Sequence, residues 1–303
     1  MRRVKEQIAS IKNQLLGAGY ICDDKTATVV YLAESLKKPL LIEGPAGVGK
    51  TGLAQAVSKM KNLPLIRLQC YEGIDEAKAL YEWNYKRQLL HIQTVVHHEV
   101  DPHEVEQDIF SETYLLRRPL LQAISSEQPC VLLIDEIDKV DFEFEAMLLE
   151  LLSEFQITIP ELGTIRATNI PYVFLTSNAT RELSEALKRR CLYLYLDFPS
   201  AELEERILKL KVPGISDMLA AKVASVVHHI RQVDLKKLPS IAESIDWAAA
   251  LLELGVDDLD PDVAVETLNV IIKHREDLAK LERMVRSRKD LTFRQTPLSV
   301  TGR

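Results

Sequence analysis

Gly44-Pro45-Ala46-Gly47-Val48-Gly49-Lys50-Thr51 matches G-x-x-x-x-G-K-[ST] at every fixed position. The short apolar run Pro39-Leu40-Leu41-Ile42-Glu43 precedes it, as expected of a strand buried in a parallel sheet. The pattern from Leu53 to Met60 predicts a helix behind it. Between a strand and a helix, glycines let the backbone curl around a phosphate with its N–H groups pointing inward. The N-terminus of the helix adds positive partial charge at the same place. On this reading Gly44, Pro45, Ala46, Gly47, Val48 and Gly49 cradle the phosphates of ATP. Lys50 then reaches the β- and γ-phosphates, and the Thr51 hydroxyl ligates Mg2+. The plainer alternative is a glycine-rich turn with no ligand, and a second motif argues against it.

That motif is Val131-Leu132-Leu133-Ile134-Asp135-Glu136. Four apolar residues predict a strand buried on both faces. Two carboxylates follow at its carboxyl end, the edge where open α/β sheets bind ligands. Asp135 is expected to hold Mg2+ through water. Glu136 is expected to orient and polarise the water that attacks the γ-phosphate. Alone, the pair would equally suit a solvated acidic turn.

The rest of the 303-residue chain is consistent with a globular protein of one large or two smaller domains. Hydrophobic residues make up 47% and charged residues 27%. The net charge of −7 argues against a dedicated nucleic-acid binder, which carries a basic surface. The start, Met1-Arg2-Arg3-Val4-Lys5-Glu6, lacks the apolar stretch of a secretory signal. No run approaches the roughly 18 apolar residues of a membrane span. Cys22, Cys70, Cys130 and Cys191 are widely spaced with no C-x-x-C pair, which speaks against zinc and redox motifs. Cys130 and Cys191 begin apolar runs and are expected to be buried. Reduced thiols and the lack of a signal predict a cytoplasmic protein.

Strand patterns recur at 39–43, 64–68, 130–134, 172–177 and 192–197, and helical patterns at 50–60, 114–126, 141–153 and 182–188. Alternating strands and helices predict an α/β fold with a parallel sheet. The segment before Leu36 reads as helical with an interruption near Gly17-Ala18-Gly19-Tyr20. Two stretches exceed a simple crossover: Gln69 to Thr113, and Phe155 to Asn169, where alternation around Pro160-Glu161-Leu162-Gly163 predicts a hairpin. After Phe198-Pro199-Ser200 only helical patterns follow, at 201–211, 215–232, 240–255 and 261–287. The expected division is therefore a core over 1–199, a helical lid over 200–290 and a polar tail over 291–303.

With these motifs in place, the chain resembles the AAA+ ATPases of the MoxR family. The resemblance runs from about Gly19 to Glu282. It rests on the loop and acidic pair together with Gln69-Cys70-Tyr71-Glu72-Gly73, Leu80-Tyr81-Glu82-Trp83-Asn84-Tyr85, Arg118-Pro119-Leu120-Leu121-Gln122-Ala123 and Thr176-Ser177-Asn178. It also takes in Ala186-Leu187-Lys188-Arg189-Arg190-Cys191, the stretch Pro239 to Trp247, and Lys273-His274-Arg275-Glu276-Asp277-Leu278. The resemblance implies a five-stranded parallel sheet of order 5-1-4-3-2, flanked by helices, with a C-terminal all-α lid. The two long stretches correspond to an insertion in helix 2 and a hairpin before sensor 1. It implies that Asn178 is sensor 1, helping to place the attacking water. Arg190 is the implied arginine finger, entering a neighbouring subunit's site, with Arg189 as its close competitor. Such a finger is typically worth about 10³–10⁵ in rate. Tyr20 and Ile21 would line the adenine site. A sensor 2 arginine is missing: Ser240-Ile241-Ala242 has alanine there, which leaves Lys236 or Lys237 open as a replacement.

The implied activity is Mg2+-dependent ATP hydrolysis in a homo-oligomer, expected to be a hexamer, that remodels or matures partner proteins. Metal-centre insertion with a von Willebrand factor A partner is one form of that role. A nucleic-acid motor and a nucleotide-gated scaffold with little turnover are the alternatives. Three weaker signals remain. His97, His98 and His103 lie in an acidic stretch but fit no defined metal spacing. Tyr81, Trp83 and Tyr85 either pack the insertion onto the sheet, the preferred reading, or form a partner patch. Lys188-Arg189-Arg190 is too short a basic run for nucleic acid.

Overall fold

Short, largely apolar runs become the strands of one sheet. The computed structural model describes residues 2–95 and 108–286. Along the chain the strands are β1 (Leu40–Glu43), β2 (Leu65–Gln69), β3 (Tyr81–Trp83), β4 (Leu115–Arg117), β5 (Val131–Asp135), β6 (Gln156–Ile159), β7 (Gly163–Arg166), β8 (Tyr172–Ser177) and β9 (Leu192–Tyr195). The helices are α1 (Arg2–Gly17), α2 (Asp24–Leu36), α3 (Lys50–Lys61), α4 (Glu76–Ala79), α5 (Tyr85–Val95), α6 (Pro119–Ile124), α7 (Phe142–Glu154) and α8 (Glu185–Lys188). They continue with α9 (Ala201–Lys211), α10 (Asp217–Ile230), α11 (Ile241–Glu253), α12 (Pro261–Thr267) and α13 (Arg275–Arg286).

The main sheet has the order β2-β5-β8-β1-β9 and all its pairings are parallel. Numbered among themselves, its strands read 2-3-4-1-5, the expected order viewed from the other edge. Leu132 lies beside Val173, and Leu41 beside Leu175. Leu40, Leu41, Ile42, Leu132, Leu133 and Ile134 are each 0% exposed. Burial of each such side chain contributes about 1.5–3 kcal/mol. The parallel register brings the carboxyl ends of β1, β5 and β8 to one edge, at Glu43, Asp135 and Ser177.

The residues form two compact units. One holds the described residues up to Ala18, Cys22–Gly44 and Lys50–Tyr195. The other holds Gly19–Ile21, Pro45–Gly49 and the described residues from Leu196 onward. The core of the first is the sheet with Leu120, Leu121, Phe144, Leu148 and Trp83. The core of the second is Leu208, Val223, Val227, Trp247, Leu251 and Leu281, from four helices. Serines cap three of its helices: Ser200, Ser216 and Ser240 each accept from a backbone N–H three residues on. At Ser240 the Glu243 carboxylate returns a bond to the Ser240 N–H, completing a capping box.

Several elements differ from the sequence expectation. The helix expected over 114–126 yields to β4, which pairs with β3, and a helix beginning at Pro119. Proline favours an extended residue before it, and Arg118 is at φ −93°, ψ 173°. The helix expected over 182–188 starts only at Glu185, where Ser184 caps it. The pattern over 261–287 breaks into α12, a 3-10 turn at Leu268–Val270, and α13. Tertiary contacts decide this: the Thr267 hydroxyl donates to the Val263 carbonyl at 2.8 Å and accepts from the Trp247 indole at 2.8 Å. Buried Asp277 takes hydrogen bonds from the backbone of Lys236 and Lys237. The strand expected to reach 197 ends at Tyr195. The hairpin within 155–169 forms as β6 and β7, with Ile157 opposite Ile165. Of the aromatic trio, Trp83 packs into the core with Tyr81 against it, whereas Tyr85 is exposed. Cys130 is buried as expected, but Cys191 only partly. The histidines at 97, 98 and 103 and the tail over 291–303 lie outside the described residues.

Candidate nucleotide site

Lys50 opens α3 and is buried, with 6% of its surface exposed. Its ammonium donates to the Gly44 carbonyl at 2.7 Å and to Asn178 Oδ1 at 2.8 Å. The second bond joins residues 128 apart in sequence, because β1 and β8 are neighbours in the sheet. Desolvation pushes the Lys50 ammonium below its ordinary pKa, opposed by the charges of Asp138, Asp135 and Glu136.

Thr51 donates its hydroxyl to Asp135 Oδ1 at 2.9 Å, across 84 residues of sequence. The Thr176 hydroxyl donates to the same oxygen. The other oxygen of Asp135 accepts from the Arg67 guanidinium, which also reaches Gln69. A threonine hydroxyl and a carboxylate are hard oxygen donors of the kind Mg2+ takes. The Arg67 guanidinium sets a cation against the second oxygen, and the oxygen donors of Thr51 and Asp135 fit a divalent cation. Among the described residues no group of three or more His, Cys, Asp or Glu side chains is arranged to hold a metal ion.

Glu136 follows β5 with φ 59°, a left-handed conformation rare for a non-glycine residue. Its N–H donates to Thr176 Oγ1 at 2.9 Å, and its carboxylate pairs with Lys139. The turn that follows β5 therefore presents Glu136 half-exposed while Asp135 stays buried. Ala179, just after Asn178, is the matching left-handed residue in the turn after β8, at φ 56°.

In the second unit, the loop Pro45–Gly49 packs closely against α11. Gly47 has φ +75°, and a Cβ there would stand 2.3 Å from Ser240 Cβ, so only glycine fits. The Tyr20 ring lies 3.6 Å from where a Cβ on Gly49 would stand. Ile21 follows it, half-buried. Lys236 pairs with Glu276, and Lys237 with Glu243.

Arg190 is half-buried; its guanidinium donates to the Ala186 carbonyl at 2.8 Å and to the Ser153 hydroxyl. Arg189 is exposed, and its guanidinium makes no hydrogen bond or ion pair among the described residues.

The family model described as "ATPase family associated with various cellular activities (AAA)" matches residues 40–196, just over half of the chain. The chain belongs to this AAA ATPase family. The matched span begins at β1 and ends just past β9, so it takes in every strand of the main sheet. The chain is similar to an uncharacterized protein of Staphylococcus saprophyticus, 24% identical over 231 residues, covering 73% of this chain and 78% of that protein. An uncharacterized protein of Staphylococcus haemolyticus is 24% identical over 256 residues, covering 81% and 86%. Among solved structures, a point mutant of Thermotoga maritima RuvB is 18% identical, with coverage of 87% and 70% and a TM-score of 0.49. The Thermotoga maritima RuvB Holliday junction branch migration motor is 16% identical, with coverage of 89% and 69% and a TM-score of 0.45.

Sequence reasoning missed Arg67, Thr176, Asp138, Lys139 and Thr180, all of which touch the motif residues or one another. Two carried a signal. Thr176 is the first polar residue after an apolar run on β8, and Asp138 is a third acid close behind Asp135-Glu136. Arg67 carried none, because an arginine on an edge strand reads as solvated.

Proposed function

We propose that this chain is a Mg2+-dependent ATPase of the MoxR type that works as a homo-oligomer and remodels or matures a partner protein. The observation that carries the ATPase reading is the meeting of Lys50 with Asn178 and of Thr51 with Asp135 at one sheet edge. Four residue types suited to phosphate, water and metal converge there from three separate segments. Lys50 would neutralise the β- and γ-phosphates, and backbone N–H groups of the loop 44–51 would bind them. Thr51 and Asp135 would hold Mg2+, which when bound offsets charge on the phosphates. Glu136 would take the proton of the attacking water, and Asn178 would hold that water in line. Tyr20 and Ile21 would flank the adenine.

The core over 1–199 and the lid over 200–290 belong to the same reading. Arg190 would serve a neighbouring subunit as its finger, in a ring of six. Exposed Arg189 is the competitor, since its guanidinium is already unengaged. The stretches quoted for the MoxR resemblance support a protein client, with a von Willebrand factor A domain as the candidate partner. A cytoplasmic location goes with four free cysteines. The net charge of −7 weighs against a nucleic-acid motor.

Phosphate release from ATP with Mg2+, measured across protein concentration, tests the reading. Turnover should rise more than linearly through the assembly range. It should respond to protein extract and not to DNA. Arg190→Ala should bind ATP and lose most turnover, and mixing it with Glu136→Gln should restore some. A monomer with full activity, indifferent to Arg190→Ala and Arg189→Ala, would reject the finger and the oligomer. Absence of turnover would leave only a nucleotide-gated scaffold.

A further inference from the structure

Asp138 lies in the 3-10 turn after β5, three residues past Asp135, with 3% of its surface exposed. One carboxylate oxygen accepts two hydrogen bonds from Thr180: from its N–H at 3.1 Å and its hydroxyl at 2.6 Å. The other oxygen is buried and has no hydrogen-bond partner. A bare buried carboxylate oxygen opposes folding, so stability alone does not account for an aspartate here. Thr180 stands two residues beyond Asn178, and between them Ala179 holds its left-handed φ of 56°. The Ala179 N–H donates to Ser177 Oγ at 3.0 Å. The segment 178–180 is thus anchored at its start by the β8 ladder and at its end by Asp138, whose carboxylate also draws the Asn178 backbone N–H. Asn178 lies between these anchors, and its amide oxygen accepts from Lys50. Of the carboxylates that act on the Lys50 ammonium, Asp138 acts most strongly.

We infer that Asp138 and Thr180 are positioning residues: their paired hydrogen bonds fix the turn that aims Asn178 at the attacking water. The inference rests on the ATPase reading above and names a device within that site. Neither residue touches the nucleotide. Each acts through Asn178, by holding a strained turn in the one conformation that lets its amide meet Lys50.

Steady-state turnover by the full chain with Mg2+-ATP tests this with Thr180→Val, which keeps the shape and removes the hydroxyl. A small misplacement near reacting groups can cost up to about a hundredfold, so kcat should fall about tenfold while KM for ATP stays within about twofold. Thr180→Ser should recover most of the loss. In an Asn178→Ala background, Thr180→Val should cause no further fall. Wild-type kcat in Thr180→Val, or an equal proportional loss in both backgrounds, would overturn the inference. Amide hydrogen exchange over 177–183 gives a readout independent of turnover. Asp138→Ala should speed exchange at Thr180 by about tenfold or more, because its N–H loses its acceptor. Unchanged exchange also overturns the inference. An inactive wild type with the exchange effect intact would instead reject the ATPase reading.

Discussion

Arg231 and Glu204 in the helical unit and Lys50 and Asp138 beside the sheet are all buried charges, but they are matched very differently. Arg231 meets both oxygens of Glu204, at 2.5 and 2.8 Å. Its Nε donates to the Pro239 carbonyl, a further bond reaches Ser244, and the guanidinium stacks 4.6 Å over the Phe198 ring. All three guanidinium nitrogens have a partner, and the pair ties α9 to α10. At the sheet edge, Asp138 leaves one oxygen without a hydrogen bond, and the Lys50 ammonium donates to the Gly44 carbonyl and the Asn178 amide. Glu136 and Ala179 both occupy left-handed backbone. A charge whose work is structural is closed off by neighbours. The carboxylate of Asp138 is left partly unmatched, and the fold around it absorbs the cost.

That contrast predicts separable consequences. Lys50→Ala should lower ATP turnover by about a thousandfold or more, about 4 kcal/mol, through lost phosphate binding. The melting temperature should barely change, because the replaced ammonium was desolvated at a cost. Glu136→Gln should bind ATP and lose most of its turnover, since the amide polarises water poorly. A thermal scan beside the phosphate assay decides. If Lys50→Ala unfolds the protein, the Lys50 charge is structural and the contrast fails.

The helical unit should respond in the opposite sense. Glu204→Ala leaves Arg231 buried and uncompensated, at a cost of about 3 kcal/mol or more. Replacing both partners with apolar residues of similar volume, Glu204→Leu with Arg231→Met, should lie much closer to wild type. Urea denaturation followed by the fluorescence of Trp247, which is 0% exposed in this core, reports on that unit. A Glu204→Ala protein as stable as wild type would show that the pair closes nothing.

The two regions also differ in how far they could be read from sequence. The sheet and its ligand edge were legible because Leu40–Glu43 and Val131–Asp135 are strands buried on both faces, and such strands are apolar throughout. Their polar ends then mark the site. Lys50, Thr51, Asp135 and Asn178 meet as parallel strand order requires. The residues that hold them were hidden. Arg67 reaches Asp135 only because β2 lies beside β5, and Thr180 reaches Asp138 across 42 residues. Pairings across strands leave no local period. The break between α12 and α13 was missed for the same reason, since the Trp247–Thr267 bond overrides a continuous helical pattern.

The smallest predicted effect compares one substitution in both places. Ala248 is fully buried within α11, whereas Ala179 is exposed in the turn after β8. Ala248→Gly should destabilise by about 1 kcal/mol, the intrinsic cost of glycine inside a helix, with lost packing added. At Ala179 two terms oppose each other. Relief of left-handed strain favours glycine by about 1 kcal/mol. The freer unfolded chain costs about 0.4–1 kcal/mol in return. The sum should leave stability within about 0.5 kcal/mol of wild type or above it. Turnover should still fall a few-fold, because a glycine turn holds Asn178 less firmly. Denaturation midpoints and kcat, measured on both variants, separate the terms. Equal destabilisation by the two glycines would mean that the φ of 56° at Ala179 stores nothing, and that the sheet edge is built no differently from the helical core.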